Sequence, residues 1–401
     1  MKIQKLDVNA RVARLNTGLE KNLNTAVRRV DGLLARAHLG GRKALYDDEA
    51  YEFVGGARDS LRRKHYDKSL RLLWKAEQHA PWLSFQDANK HERSLLDMAE
   101  RSLTDEEKAA RQRLSLPEFR ALLNREYSER EKRAIVSVLS AIGHGEAYAW
   151  IVSAELLGEV KSTGARAALT MQVVEEAKHF VVLRELLQAF DVPIPRQSAW
   201  EYMLLEGVLK AKGLEKFFGM NVVVEGIALS LFGLMSHMPG LEVLRLFHLD
   251  ESRHTGLPSN YFKEFPLSRW QKLNPASQLR RLNLILPALG LIPYLEEDLA
   301  ELGIDAFEFG GSVLRKVSHL AERNGFHFGL PRSVLLAELN LLFNGYCKLT
   351  RRRHTYRDFM ASDTTRGEHE RAVEREIFFD DPAAVVSQRP RSPMPPAAVR
   401  A

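Results

Sequence analysis

Two stretches decide the fold: VVEEAKHFVVLREL at residues 173–186 and LRLFHLDESRHTGL at residues 244–257. Each reads as a helix and each carries Glu-x-x-His, as Glu176-Ala-Lys-His179 and as Glu251-Ser-Arg-His254. Residues three apart on a helix share a face, so each motif aims a carboxylate and an imidazole at one point. One such motif carries little weight, because a chain with thirteen histidines holds on the order of one by chance. The signal is the company the motifs keep. Glu146, in AIGHGEAYAW, lies about thirty residues before the first motif, and Glu225, inside the apolar run MNVVVEGIALSLFGLM, lies 26 residues before the second. A carboxylate in such a run is costly unless it is paired, protonated or bound to a metal.

Helix arithmetic pairs each lone glutamate with its motif. The path from Glu146 to the break at Lys161-Ser162-Thr163-Gly164 and back to Glu176 rises and returns by roughly 20 Å at 1.5 Å per residue, as does the path from Glu225 through Pro239-Gly240 to Glu251. Two antiparallel helix pairs then place four carboxylates and two histidines around one interior site, the arrangement of dinuclear centres in four-helix bundles. The candidate metal ligands are Glu146, Glu176, His179, Glu225, Glu251 and His254. His248, three residues before Glu251, is a further candidate. Glu155 and Glu242 lie about half a turn off the ligand face. Glu175 and Asp250 immediately precede the motif glutamates, and each could accept the second N–H of the histidine on the opposite helix.

Working outward, helical periodicity dominates nearly everywhere and no series of alternating strands is found, so the expected fold is all-α: a ferritin-like four-helix bundle with additional N- and C-terminal helices. Residues 1–118 read as charged amphipathic helices, for example Ser60 to His79. Residues 119–260 form the core, with four apolar helical stretches separated at 161–164, at 191–196 and at Pro239-Gly240. Residues 261–379 add helices that pack on it, and residues 380–401 read as a proline-rich disordered tail. The apolar stretch Leu282 to Leu295 is too short for the roughly twenty residues of a membrane span and contains Pro287 and Pro293.

The single cysteine, Cys347, excludes a disulfide framework, a four-cysteine iron–sulfur cluster and a zinc ribbon. The N-terminus MKIQKLDVNARV has no apolar leader core, which points to a cytoplasmic chain beginning at Met1. A net charge of +6 is spread along the chain without a nucleic-acid-binding motif, so no nucleic-acid partner is expected.

The pattern Glu146, Glu176-x-x-His179, Glu225, Glu251-x-x-His254 resembles the ferritin-like di-iron carboxylate superfamily over about residues 140–260. That superfamily includes ribonucleotide reductase small subunits, acyl-carrier-protein desaturases, bacterial multicomponent monooxygenases, R2-like ligand-binding oxidases and arylamine N-oxygenases. The common ribonucleotide reductase subunits carry a radical tyrosine four residues after the first motif histidine, where this chain has Leu183. Rubrerythrins need a four-cysteine module, and storage ferritins are shorter and lack the doubled motif. N-oxygenase-like members add a histidine before the last motif, and His248 stands one residue out of that register.

The resemblance implies two iron ions, or iron and manganese or two manganese ions, and an O2-dependent oxidation of a small organic substrate by hydroxylation, desaturation or N-oxygenation. Electrons would come from an external reductase or ferredoxin, and the chain could work as a homodimer. Two alternatives stay open: a membrane-surface quinol-type oxidase or hydroxylase, motivated by Arg280-Arg281 beside the apolar 282–295 stretch, and a non-catalytic helical scaffold or partner-binding protein.

Overall fold

The computed structural model describes residues 3–37, 117–161, 163–360 and 366–378. The helix expected over Ser60 to His79 and the tail expected from 380 lie outside the described residues.

The core is two antiparallel helix pairs, α3 (Glu129–Leu156) with α4 (Thr163–Ala189) and α7 (Glu225–Met235) with α8 (Leu244–Glu264), which pack as a ferritin-like helix bundle. A short helix, α2 (Pro117–Glu126), precedes it, and α1 (Ala10–Arg36) belongs to the N-terminal region. Ser128 starts α3 with a capping box: its hydroxyl accepts from Glu131 N–H, and its own N–H donates to Glu131 Oε2 at 2.7 Å. These bonds satisfy donors that the first helical turn leaves without partners. Gly240 turns the chain between α7 and α8 with φ of 83°. A side chain is excluded there twice over, by that left-handed φ and by Leu123, whose Cδ2 would stand 2.9 Å from an added Cβ.

The third apolar stretch is not one helix but three, the last two joined by a π-helical turn. α5 (Ala199–Lys210) ends at a bend where Gly213 takes φ of 56°, and α6 (Leu214–Phe218) starts a new direction. Between α6 and α7, residues Gly219–Val224 form a π-helical turn, so the Glu225 N–H donates to Met220 O, five residues back. The widened turn sits directly before Glu225, a position such turns commonly take at functional sites.

The remaining helices among the described residues are α9 (Arg269–Leu273), α10 (Pro275–Tyr294), α11 (Glu296–Glu301), α12 (Ala306–Arg323), α13 (Arg332–Thr350) and α14 (Arg366–Phe378). α10 packs on α5, α11 on α3, and α12 on α7, while α14 closes over α8. α1 lies along α5 and α10, where Asn16 donates to Pro293 O and to Tyr346 Oη. Two helical stretches among the described residues, Glu129–Leu156 and Leu214–Met235, have the length and hydropathy of membrane spans, but 78% of each apolar window is buried against other helices.

Candidate metal centre

Six side chains from four helices converge at the middle of the bundle. α3 brings Glu146, α4 brings Glu176 and His179, the end of the π-turn brings Glu225, and α8 brings Glu251 and His254; none is more than 3% exposed. They form two overlapping clusters positioned to coordinate metal ions: Glu146, Glu176, His179 and Glu251, and Glu176, Glu225, Glu251 and His254, each with candidate ligand atoms within 4.8 Å of one another. Glu176 and Glu251 belong to both clusters, while Glu146 and His179 serve one and Glu225 and His254 the other. The site thus has an approximate twofold pattern that follows the two helix pairs.

The inward atoms are the imidazole Nδ1 nitrogens. His179 Nδ1 lies 3.1 Å from Glu251 Oε1 and 3.3 Å from Glu146 Oε2, and His254 Nδ1 lies 3.0 Å from Glu176 Oε1 and 3.4 Å from Glu251 Oε2. Even so, Glu176 Oε2, both Glu251 oxygens and His254 Nδ1 are buried without a hydrogen-bond partner. Each unsatisfied buried polar atom costs about 1–3 kcal/mol. The orphaned atoms all point into the clusters, and divalent cations bound by carboxylate oxygen and imidazole nitrogen would satisfy every one.

The electrostatics divide the six groups. Burial, with the charge of Glu176 adding to it, lifts the Glu146 and Glu225 carboxyls well above the usual carboxylate range. Burial also works against ionisation of Glu176 and Glu251, but the neighbouring imidazoles at Glu176, and the Glu225 carboxyl together with both imidazoles at Glu251, outweigh it and hold both below that range. Both histidines are raised well above the usual imidazole value, because the surrounding carboxylates overcome their burial.

An outer layer fixes the imidazoles. Asp250 Oδ2 accepts from His179 Nε2 at 2.9 Å, and Glu175 Oε2 accepts from His254 Nε2 at 2.8 Å, each acid reaching across to the other helix pair. Arg253 ties the two acids together, donating to Glu175 at 2.7 Å and Asp250 at 2.6 Å, and Lys178 donates to Asp250 at 2.8 Å. An N–H held outward leaves the Nδ1 lone pair inward, which is the tautomer a metal needs. Asp250→Asn and Glu175→Gln should each weaken metal affinity about 10–100-fold without unfolding the chain, measured by competition with a chromophoric chelator.

Two polar residues escaped the sequence reading. Gln172 Nε2 donates to Glu225 Oε1 at 2.7 Å, and Asn221 Nδ2 donates to Gln172 Oε1 at 3.0 Å and to His254 O at 3.1 Å. Both are buried, and each lies four residues before a cluster glutamate. A polar residue one turn before a ligand, on the same face, was the available signal.

His248 is a correction. It belongs to neither cluster: Nδ1–H donates to Leu229 O at 2.8 Å, and Nε2 faces Glu376 of α14 at 3.4 Å, which Lys316 of α12 also pairs. Its six-residue separation from His254 turns the two rings about 120° apart at 100° per residue, so they cannot meet at one ion. The ring lies against α7 at Gly233, where an added Cβ would stand 2.8 Å from Nδ1. Gly233→Ala is therefore expected to destabilise the fold by about 1–3 kcal/mol in urea denaturation; an unchanged midpoint would mean the ring has room to move. Glu155 instead pairs with Lys216, and Glu242 accepts from Gly240 N–H at 2.9 Å, both away from the clusters.

A cavity of about 100 Å³ opens beside the centre, with Glu146 and Glu225 in its wall. It lies between α3 and α7 on one side and α5, α10, α11 and α12 on the other; no described residue of α4 or α8 lines it.

The fold and the site together define an all-helical protein whose paired Glu/His clusters resemble a ferritin-like di-iron binding motif. No protein-family model, curated protein or solved structure matches the chain.

Proposed function

We propose that the chain is a non-haem di-iron oxidoreductase that uses O2 to oxidise a small organic substrate, by hydroxylation, desaturation or N-oxygenation. The observation that carries this reading is the set of orphaned carboxylate and imidazole atoms aimed into two clusters that share Glu176 and Glu251. Two ferrous ions bound there would supply the electrons that reduce O2. Glu176 and Glu251 would hold both ions, with Glu146 and His179 completing one position and Glu225 and His254 the other. Asp250 and Glu175 keep the imidazole N–H groups outward. Phe247, stacked on the His179 ring at 4.2 Å, and Phe232 beside it keep water from that side. With a single cysteine the chain has no iron–sulfur centre of its own, so reducing equivalents come from a separate donor.

A scaffold of buried salt bridges would leave these atoms ion-paired but without aligned hydrogen bonds, which disfavours it. The test is anaerobic Fe(II) loading, metal analysis and then O2 uptake with a chemical reductant, comparing the unaltered chain with Glu225→Ala. About two irons per chain and O2 consumption, both reduced in the variant, are expected. No bound iron after reconstitution, or iron without O2 consumption, would overturn the proposal.

A further inference from the structure

The cavity says what kind of substrate reaches the centre, and this step rests on the di-iron reading. Along α3 the wall is formed by the small residues Ala141, Gly145 and Ala149, one per helical turn, together with Ile142 and Glu146. Opposite them stand Leu204 and Leu205 of α5, Ala228 and Leu231 of α7, and Val313 and Leu314 of α12. The half-buried part of the wall is formed by Ala288, Leu291 and Ile292 of α10 with Ile227 of α7 and Phe309 of α12. Besides Glu146 and Glu225, the polar residue in the wall is Glu201, and both of its oxygens are engaged: Oε1 accepts from Ser198 Oγ and Oε2 meets His144 Nδ1, each at 2.9 Å.

We infer that this cavity is the substrate pocket, that it takes an uncharged apolar ring or short alkyl group, and that Gly145 sets its capacity. Apart from ions bound at the centre, the described lining offers no cation to an anionic substrate. The volume is of the order of engineered apolar cavities of about 150 Å³ that take up benzene. A substrate lodged there lies against the two lone glutamates and away from the imidazoles. A Cβ added at Gly145 meets nothing within 4 Å, so a larger side chain at that position projects into open space and fills the pocket without displacing the backbone.

The experiment titrates the full chain, metal-free and Fe(II)-loaded, with benzene and toluene and with benzoate as the charged control, followed by ligand-observed NMR and thermal midpoint. Benzene and toluene should bind both forms and raise the midpoint, and benzoate should bind the metal-free form at least tenfold more weakly. Gly145→Leu, and independently Ala149→Leu, should lose the aromatic ligand by tenfold or more while still taking up metal. Aromatic binding that is absent from a metal-loaded chain, or unchanged in both variants, would overturn the pocket assignment and leave the di-iron reading standing. Aromatic binding to a chain that takes up no metal would overturn the di-iron reading and, with it, the assignment of the pocket to a substrate.

Discussion

Glu176→Ala and Glu251→Ala are each expected to lower bound metal from about two ions per chain to nearly none, whereas Glu146→Ala and Glu225→Ala should each retain about one. The difference follows from geometry. Glu176 and Glu251 belong to both clusters, so removing either takes an anionic oxygen donor from both positions. It also leaves His179 and His254 with one fewer counter-charge in an interior where each group is fully buried. Charge interactions are far stronger in such surroundings than in water, so one lost carboxylate is felt across the whole centre. Glu146 and Glu225 touch one cluster each, and their loss opens one position only. The check is metal analysis of chains reconstituted under one protocol, with far-ultraviolet circular dichroism to establish that each variant is folded, and with Glu176→Gln and Glu251→Gln as shape-preserving controls. Equal losses from all four alanine variants would mean that the clusters do not share those two residues.

The bundle was legible because its signals are local. A Glu-x-x-His repeat places two groups on one helix face wherever the helix forms, and Glu225 inside MNVVVEGIALSLFGLM announces a buried charge by composition alone. Helix length then pairs each lone glutamate with its motif, and the six residues do converge. What was missed depends on tertiary context. The bend at Gly213 falls between two segments of similar helical pattern, and the π-turn at Gly219–Val224 leaves no mark on periodicity because every residue in it is buried. His248 looked usable at three residues from Glu251, but its 120° offset from His254 turns it to the α7 backbone and α14. The cavity could not be read from sequence, since its wall joins α3, α5, α7 and helices between residues 275 and 323, whose packing no local pattern specifies.

Metal loading should exchange ions for protons, and its strength should rise steeply with pH. In the metal-free fold Glu146 and Glu225 hold protons well above the usual carboxylate range, and His179 and His254 hold theirs well above the imidazole value of 6.5. Glu176 and Glu251, held low, stay ionised. Two protonated carboxyls, two carboxylates and two imidazolium groups make the buried centre electrically neutral. Four carboxylates, two neutral imidazoles and two divalent ions are neutral as well, so the exchange that preserves neutrality releases four protons for two ions. At pH values below the raised values of these four groups the expected release therefore approaches about four protons per chain, and the product of the two binding constants rises by up to about four decades per pH unit. The sign for stability follows. Groups whose folded pKa is raised stabilise the metal-free fold fully below their unfolded values, 4.5 for the glutamates and 6.5 for the histidines, and that contribution is lost as pH rises through the folded values. Glu176 and Glu251 act in the opposite sense, contributing above 4.5 and losing that contribution as pH falls through their lowered values. Above neutrality the metal-free chain weakens while the loaded chain does not, so the gap between their thermal midpoints should widen with pH. Calorimetric titration with Fe(II) or Co(II), repeated in buffers of different ionisation enthalpy, counts the protons directly; metal uptake with no proton release at pH 6 would show that the six groups do not carry this charge pattern.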